Sequence, residues 1–380
     1  MPEFSVAVIG SGIAGASTAF ALARRGVAVT VIDAGHVGQA TAASAGIIQP
    51  WSSAVEGDYY SVYAAGAGFY PDLLELLAGV GITHTDYRKT GALVVNADEA
   101  KLEATYRRVL DRAQTAGPVV GDVERISNAE ARKLFPALAE GLDAVYISGG
   151  GRVDGRTMRD ALLAAAEKLG ATRVSGDVSL ALRAGRVSAF VDGAPVQADT
   201  VVVAAGAWSN EVLSAVGAGV PVAPQRGQIT HLRLEGVDTT QWPTVHPISH
   251  HYIVAFDESR IAVGATREVG SGFDPRVTAA GQMQVLEDAL RIVPGLADAT
   301  LIETRVGLRP LPDGQLPIVG PIPGLDGTYV ATGYGAGGLT MGPLLGDAVA
   351  RSIVGEAAPE LELTPVAARE GTATAGIEVS

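Results

Sequence analysis

The 380-residue chain contains no cysteine, and this absence excludes several kinds of chemistry. Without a thiol there is no disulfide, no thiolate metal site and no catalytic cysteine, so any redox chemistry must belong to a bound cofactor. Basic side chains are also scarce: 28 Lys and Arg stand against 41 Asp and Glu, giving a net charge of −13. Nucleic acid is therefore an unsuitable partner, because binding phosphates needs clustered basic residues.

The sequence also lacks any long hydrophobic run, and we expect no secretory leader. Met1 to Phe4 lead directly into a predicted strand, without a charged segment followed by an apolar one. We therefore expect neither secretion nor a membrane span, and a cytoplasmic protein fits best. Hydrophobic residues make up 47% of the chain and charged residues 18%, which is typical of a folded globular protein.

A complete dinucleotide-binding βαβ pattern occupies the first 33 residues. A buried strand is followed by Gly10-Ser-Gly-Ile-Ala-Gly15, a helix of small residues and a second strand that ends at Asp33. The glycines permit a tight turn, close approach of a pyrophosphate and close helix packing, and the helix N-terminus favours phosphate. The carboxylate suits the adenosine ribose hydroxyls, so an ADP-containing cofactor is predicted rather than a turn without a ligand. The predicted cofactor contacts in this unit are Gly10, Gly12, Ile13, Ala14, Gly15, Asp33 and Ala34.

Downstream, short β-type runs alternate with helical segments, which predicts an α/β architecture. The predicted strands are Gly91–Asn96, Ala144–Ser148, Val187–Val191, Thr200–Ala204, Gln228–Leu234, Tyr252–Phe256, Arg260–Gly264 and Thr328–Ala331. The predicted helices are Asp58–Leu77, Glu99–Ala116, Asn128–Leu134, Gly155–Leu169, Ala279–Ile292 and Leu339–Val354. The end of the chain, Glu370–Ser380, is predicted to be mobile.

Three small-residue segments favour a flavin over a nicotinamide as the cofactor. Gly38–Ile47 is an uncharged run of small residues and hydroxyls that can wrap a long cofactor. Thr200–Ser209 is an apolar strand that turns on small residues, although a core strand with a tight turn would look the same. Val330–Pro343 breaks into a glycine turn before a helix whose dipole could stabilise a reduced flavin.

The order of these segments resembles the FAD-dependent D-amino-acid oxidase superfamily, in its glycine oxidase, sarcosine oxidase and bacterial D-amino-acid dehydrogenase branch. The resemblance spans Val6 to about Val354. The matching stretches are Gly10–Gly15, Ala40–Gly46, Val153-Asp154, Ala198–Ser209, Pro224–Gln228, Tyr252–Val254, Val263–Thr266, Gly307–Pro310 and Gly333–Pro343.

This resemblance implies an α/β fold of the glycine oxidase type. It places a Rossmann-like FAD-binding domain at residues 1–80, 150–215 and 305–356. A discontinuous substrate domain of β-sheet and helices would comprise 81–149 and 216–304, with a C-terminal tail at 357–380. The flavin is expected to be non-covalent, because the chain has no cysteine and no histidine at the family's N-terminal attachment position.

Family roles transfer to individual residues. Arg309 matches the arginine that pairs with the substrate carboxylate, and a planar guanidinium suits that task. Tyr252 matches a tyrosine that reaches the same carboxylate, although such a residue is more often part of a core. The further FAD contacts implied are Thr41, Ala42, Ser44, Gly46, Ile47, Val178, Ala205, Gly206, Trp208, Arg309, Gly335, Gly337, Gly338, Leu339 and Thr340.

The histidines near Tyr252 are weaker candidates. His250 would share a strand face with Tyr252, so it could line the pocket and act catalytically, although a structural histidine is the preferred interpretation. His246, His250 and His251 together suggest a metal site, but no carboxylate or cysteine lies beside them, so no metal is predicted.

Three positions depart from the family pattern. Ala336 stands where glycine oxidases have a second arginine, and Tyr334 where a histidine is common. Ala262 replaces the lysine that promotes oxygen reactivity in monomeric sarcosine oxidase, so oxygen use is not assured. Arg267 could return positive charge to the pocket. These departures favour a substrate larger than glycine.

The predicted reaction is oxidation of the C–N bond of an amino acid or N-substituted glycine. Hydride passes to flavin N5, the imine hydrolyses to an oxo acid plus amine or ammonia, and O2 reoxidises the flavin, giving H2O2. The alternatives are a D-amino-acid dehydrogenase with another acceptor, an NAD-dependent dehydrogenase, or a nucleotide-binding module without turnover. A homo-oligomer is left open.

Overall fold

The computed structural model describes residues 4–183, 185–314, 316–364 and 366. The strands within them are β1 Ser5–Ile9, β2 Ala28–Asp33, β3 Ile47–Ile48, β4 Ala92–Asn96, β5 Val123–Ile126, β6 Asp143–Ile147, β7 Gly151–Arg152, β8 Thr172–Ser175, β9 Val178–Arg183, β10 Arg186–Val191, β11 Ala194–Pro195, β12 Thr200–Val203, β13 Val222–Arg233, β14 Thr244–Pro247, β15 Tyr252–Ala255, β16 Arg260–Gly264, β17 Glu268–Val269, β18 Thr300–Pro312, β19 Ile318–Pro321 and β20 Thr328–Thr332. The α-helices are α1 Ile13–Ala23, α2 Gly57–Gly68, α3 Tyr70–Gly79, α4 Glu99–Ala116, α5 Asn128–Leu134, α6 Gly155–Lys168, α7 Ser209–Ser214, α8 Ala279–Ile292 and α9 Gly338–Ile353.

A six-stranded sheet in the order β19-β20-β12-β1-β2-β8 organises the first layer. The strand β1 pairs in parallel with both β2 and β12, as the βαβ pattern predicts. Val6 and Val8 pack against helices α1, α6 and α9, while Ile9 contacts the three-stranded sheet β9–β11 on the other face. Both faces are covered, so this strand is apolar throughout.

Two glycines of the first turn are required by close packing. Gly10 has φ +101°, and a Cβ there would lie 2.4 Å from the carbonyl oxygen of Ala204. A Cβ on Gly15 would lie 1.9 Å from the carbonyl oxygen of Gly10. Any larger residue would push helix α1 away from the strand, so the cofactor turn depends on both.

A nine-stranded sheet organises the second layer. Its long strands β13 and β18 run antiparallel and carry one register shift between His231 and Leu232. Helices α5 and α8 cover one face. On the opposite face, Tyr252 and Val254 form an apolar cluster with Ala45 of the loop after β2. This face is therefore turned towards the loop that was predicted to wrap the cofactor.

The structure corrects two secondary-structure predictions. The helix predicted over Asp58–Leu77 is two helices, α2 and α3, because Pro71 in the first turn of α3 cannot donate to the helical ladder. Strand β18 was not predicted at all. It crosses residue 305, where the substrate domain was predicted to give way to the FAD-binding domain, so that division stays a prediction.

The predicted C-terminal tail begins with ordered structure. Pro359–Leu363 forms a short 3₁₀ helix, and the buried hydroxyl of Thr364 donates to the carbonyl of Val319 over 3.0 Å. Residues Glu370–Ser380 lie outside the described residues. In the part of the chain that is described, none of the helices has the length and apolar character needed to cross a bilayer.

Candidate active site

One continuous cavity of about 900 Å³ lies between the two large sheets. It begins at Asp33, passes the N-terminus of α1 and ends beside Arg309 and Tyr252. Most of the predicted cofactor and substrate residues therefore line a single space. They are Gly10, Gly12, Ile13, Ala14, Asp33, Ala34, Thr41, Ser44, Gly46, Ile47, Val178, Ala205, Gly206, Trp208, His250, Tyr252, Arg309, Gly335, Gly338, Leu339 and Thr340.

Three predicted contacts do not line this cavity. Gly15 packs beneath the turn at Gly10. The carbonyl of Ala42 faces α6 and accepts a 2.9 Å hydrogen bond from Nε of Arg156. Gly337 faces Met341 and Tyr59, where a Cβ would lie 2.6 and 2.9 Å from their side-chain atoms. These three residues pack behind the residues that line the cavity. A sequence motif does not distinguish such packing from direct contact with a ligand.

Asp33 lies at one end of the cavity. One of its oxygens accepts hydrogen bonds of 2.7 and 2.5 Å from the backbone N–H and hydroxyl of Ser11, and the other accepts from Gly35 and Gln39. Burial raises the pKa of Asp33, but these bonds outweigh it and hold the pKa below the usual value. An ionised carboxylate at this edge suits ribose hydroxyls.

The residues around the first turn fit a dinucleotide. Helix α1 has no side-chain cap at Gly12, and only Ile13 donates its N–H to a side chain, the hydroxyl of Thr41, over 2.9 Å. The neighbouring Ser44 has a buried hydroxyl without a partner among the described residues. Uncapped N–H groups and an unpaired hydroxyl beside an open cavity are what a pyrophosphate needs.

A second helix N-terminus lies farther along the same cavity. Helix α9 starts at Gly338, again without a side-chain cap, and Leu339 and Thr340 line the cavity. The hydroxyl of Tyr334, also on the wall, is buried and has no partner in the described structure. Burial raises the pKa of Tyr334, so it is a neutral hydrogen-bond donor. This end can therefore stabilise negative charge on a bound ring.

The guanidinium of Arg309, on β18, lies over Gly227 of the neighbouring strand β13. Its Nη1 donates to the carbonyl of Thr266 over 3.0 Å and contacts Oε1 of Gln225 at 3.4 Å. A Cβ on Gly227 would lie 2.4 Å from Nη2 of the guanidinium, so only glycine leaves room for it. No ion pair with a carboxylate is recorded for Arg309 within the described residues. A substrate carboxylate can therefore pair with it.

Arg267 brings a second guanidinium to the same end of the cavity. It is exposed, yet partial burial and the charge of Arg309 lower its pKa, while Tyr252, Tyr59 and Tyr63 oppose that shift. Arg267 also has no recorded ion pair in the described part of the chain. The pocket thus holds two cations and several tyrosine hydroxyls.

The tyrosines of this cluster come from different elements. Burial raises the pKa of Tyr252, although the charge and hydrogen bonding of Arg309 act against the shift. Tyr59 and Tyr63 lie one turn apart on α2, and burial raises the pKa of each. Sequence reasoning missed this pair. The signal was present, because residues four apart share a helix face.

The structure corrects the expectation for His250. Strand β15 begins at Tyr252, so His250 lies in the preceding bend, closed by bonds between Ser249 and both Pro247 and His251. His250 is exposed at the cavity rim rather than on a strand face. The alternation argument fails because it extended the strand pattern back to His250, two residues before Tyr252, where both the predicted strand and β15 begin.

The other two histidines have structural partners. His251 pairs with Asp288 of α8. The register of β14 and β15 places His246 opposite Tyr252, where its Nε2 lies 2.8 Å from the Thr244 hydroxyl. Burial lowers the pKa of His246 to about 4, so the ring is neutral near pH 7. Among the described residues no group of three or more potential ligands is arranged to hold a metal ion.

A family model described as FAD dependent oxidoreductase matches residues 5–352. The chain belongs to this family. FAD is therefore its cofactor, in agreement with the uncapped helix ends and the small-residue turns of the cavity. The family match thus favours FAD over the nicotinamide cofactor that was considered as an alternative from the sequence.

Relatives match over nearly the whole length. The uncharacterized oxidoreductase YurR of Bacillus subtilis is 46% identical over 364 residues, covering 95% of this chain and 97% of its own. Iminodiacetate oxidase from Chelativorans sp. BNC1 superposes with a TM-score of 0.92 at 46% identity, covering 95% of this chain and 99% of that one. Glycine oxidase from Geobacillus kaustophilus gives 0.83 at 28% identity, with 93% and 95% covered. The predicted glycine oxidase-like α/β fold is confirmed.

Proposed function

We propose that this FAD-dependent oxidoreductase oxidises a C–N bond of an N-substituted glycine that carries a second carboxylate, with iminodiacetate as the reference substrate. The observation that carries the proposal is the presence of two guanidinium groups, Arg309 and Arg267, at one end of the cavity, neither of which has an ion pair with a carboxylate among the described residues. Two carboxylates balance two such cations. The 46% identity to iminodiacetate oxidase supports the same substrate class.

Arg309 binds the carboxylate of the glycine unit that is oxidised. The Thr266 carbonyl and the Gln225 side chain accept hydrogen bonds from Nη1 of Arg309, and Tyr252 is also hydrogen-bonded to the guanidinium; the donors that these neighbours do not engage are available to a ligand. A bidentate pair restrains both the position and the rotation of the bound carboxylate. The buried hydroxyl of Tyr252 adds a neutral donor beside it.

Arg267 binds the second carboxylate, on the other arm of the amine. A monocarboxylate such as glycine would leave this cation without a counter-charge, whereas an N-carboxymethyl group supplies one. Ala336, which lines the cavity where glycine oxidases have an arginine, leaves room for the longer substrate. The pocket therefore selects for both length and charge.

The amine must be neutral when hydride leaves the adjacent carbon. Among the charged residues at this end, Arg267 and Arg309 are both cations, and a protonated amine between them would be repelled. Burial lowers the pKa of His246 to about 4, so this ring is too weak a base to hold the amine proton near pH 7. Loss of the amine proton to solvent is enough.

FAD, when bound, supplies the two-electron acceptor and passes the electrons to O2, giving H2O2, or to another acceptor. The neutral amine loses hydride from carbon and becomes an iminium ion, loss of its N–H proton to solvent gives the imine, and water then cleaves the C=N bond. For iminodiacetate the products are glyoxylate and glycine. Ala262 lies in the apolar cluster with Ala45, so no lysine assists oxygen from that position.

The test is a comparison of kcat/KM for iminodiacetate, sarcosine, glycine and D-alanine, with H2O2 and glyoxylate measured as products. We expect iminodiacetate to be preferred and glycine to be poor, because glycine offers few atoms and one charge. Preference for sarcosine over iminodiacetate would contradict a role for the second carboxylate. Turnover with a dye but not with O2 would favour a dehydrogenase of the same substrate class.

A further inference from the structure

One acidic residue adjoins Arg267 in the chain and yet has no ion pair with Arg267 or Arg309 among the described residues. Glu268 directly follows Arg267 in the chain, and its carboxylate is held by four hydrogen bonds. One oxygen accepts from Nε and Nη2 of Arg226 at 3.0 and 2.6 Å. The other accepts from Gln228 and from the hydroxyl of Thr266, both at 2.7 Å. Its acceptor positions are therefore in use.

These bonds fix the backbone segment that carries the substrate pocket. The Thr266 hydroxyl, which donates to Glu268, also accepts from the backbone N–H of Gln228 at 3.0 Å. The carbonyl of the same Thr266 accepts from Arg309. The segment 266–268 is therefore linked to both guanidinium groups. Arg309 is bound to it by a hydrogen bond, and Arg267 is part of it.

The charge of Glu268 is cancelled away from the pocket. Arg226, which is 10% exposed, pairs with Glu268 on one side and with Asp274 at 2.9 Å on the other. Arg226 therefore supplies the counter-charge of Glu268, and the charges of Arg267 and Arg309 remain available to a ligand. The carboxylate can thus order the pocket without lowering its affinity for anions.

We propose that Glu268 is a positioning residue that sets the relative placement of Arg267 and Arg309 and so determines preference for a dicarboxylate. The inference rests on the proposed function for the identity of the ligand. The geometry predicts that loosening this carboxylate weakens dicarboxylate binding more than monocarboxylate binding, because only the former needs both guanidinium groups at a fixed separation.

The test uses the FAD-bound protein and two ligands that lack the C–N bond. Diglycolate and methoxyacetate replace the NH of iminodiacetate and sarcosine by an ether oxygen, and their binding is followed through the flavin absorption spectrum. Glu268→Gln keeps the size but presents an amide donor to groups that already donate. Glu124→Gln, on the exposed edge strand β5, is the matched control.

For Glu268→Gln we expect the Kd of diglycolate to rise about tenfold or more and that of methoxyacetate about threefold, so that the ligand ratio, the Kd of methoxyacetate divided by that of diglycolate, falls about threefold or more. Gly227→Ala displaces only Arg309, so both ligands should weaken by the same factor. A merely structural role would lower the melting temperature or FAD content without changing the ratio of the two Kd values.

A second pair of variants covers the case in which Glu268→Gln does not fold. Thr266→Val removes the hydroxyl that links the segment to Glu268, and Thr266→Ser retains it. The proposal expects the ligand ratio to fall in the first and to recover in the second. Unchanged Kd values, or equal losses for both ligands in Glu268→Gln and Thr266→Val, would overturn it.

Failure of the proposed function gives a different result. If the substrate is not a dicarboxylate, the unmodified protein will bind diglycolate no more tightly than methoxyacetate. The positioning role of Glu268 would then still be tested by the binding of methoxyacetate alone, because Thr266, which Glu268 holds, accepts a hydrogen bond from Arg309. Weaker methoxyacetate binding in Glu268→Gln would support positioning, and unchanged binding would exclude it.

Discussion

Replacing Arg267 with methionine separates the two carboxylate sites. Methionine keeps much of the aliphatic stem of arginine and removes its charge, so the cavity wall is largely retained. The proposed function then predicts a loss that depends on the substrate. Iminodiacetate loses the partner of its second carboxylate, whereas sarcosine has no such group to lose.

The expected magnitude follows from the exposure of Arg267. Truncating one partner of a fully buried charge pair costs about 2–5 kcal/mol. Arg267 is exposed at the cavity and its charge is partly screened, so we expect about 1–3 kcal/mol for iminodiacetate, or about 5- to 150-fold in kcat/KM. Sarcosine should change by less than about threefold.

The assay is steady-state oxidation of both substrates by the FAD-loaded variant, with its FAD content measured first. Arg107→Met serves as the control, because Arg107 is 75% exposed on α4 and lies outside the cavity. Equal losses for the two substrates would show that Arg267 does not read the second carboxylate. An unchanged kcat/KM for iminodiacetate would refute the proposed role of Arg267.

Four further results are expected. Arg309→Ala should lower kcat/KM for mono- and dicarboxylates alike by about thirtyfold or more, as kinetics with both substrates will show, because every substrate loses its first anchor. Gly12→Val should fold but purify without FAD, since a Cβ there already lies 3.3 Å from the Thr41 hydroxyl and a branched side chain would fill the phosphate cradle; a normal flavin spectrum would contradict this. Acid precipitation should release all the flavin into the supernatant, because the chain has no cysteine to bind it covalently, and colour in the pellet would disprove a non-covalent cofactor. Burial lowers the pKa of His246 from 6.5 to about 4, so the stability that its neutral form contributes is fully present above pH 6.5 and is lost as the pH falls towards 4; His246→Gln should therefore show a smaller fall in melting temperature between about pH 7 and pH 5.

Local patterns in the sequence were sufficient to predict the first βαβ unit, whose turn and acid line one end of the cavity. The strand, glycine turn, helix and acid of the βαβ unit lie within 33 residues, so their contacts are fixed by short-range geometry. The structure places Asp33 at the cavity edge and shows Gly10 in a conformation with positive φ. The fold class also followed from the order of such segments.

The substrate end depends on pairing between distant strands. Gly227 makes room for Arg309 only because β13 and β18 pair with Gln225 opposite Arg309, and β18 was not recognised in the sequence. Its burial changes gradually along the strand instead of alternating, so no period of two is visible. The hydrogen bonds of Glu268 were equally hidden, because their partners come from β13 and from Thr266.

Turns were the other source of error. The face of His250 was predicted by extending the alternation of the strand back beyond Tyr252, but the chain bends there and the strand begins only at Tyr252. A single residue of shift reverses which side chains face the cavity, so strand ends are where such predictions fail. Arg267 was recognised only as a source of charge. Its position beside Tyr59 and Tyr63 required the packing of α2 against the glycine turn before α9.

The central claim is tested most directly by mixing the FAD-loaded protein with iminodiacetate, sarcosine or glycine in the absence of O2 and recording the bleaching of the flavin. Each trace gives a limiting rate and an apparent Kd for one substrate, independently of the electron acceptor. The account predicts full bleaching by iminodiacetate at the lowest concentration, with sarcosine weaker and glycine weakest. Faster or tighter reduction by glycine than by iminodiacetate would contradict it.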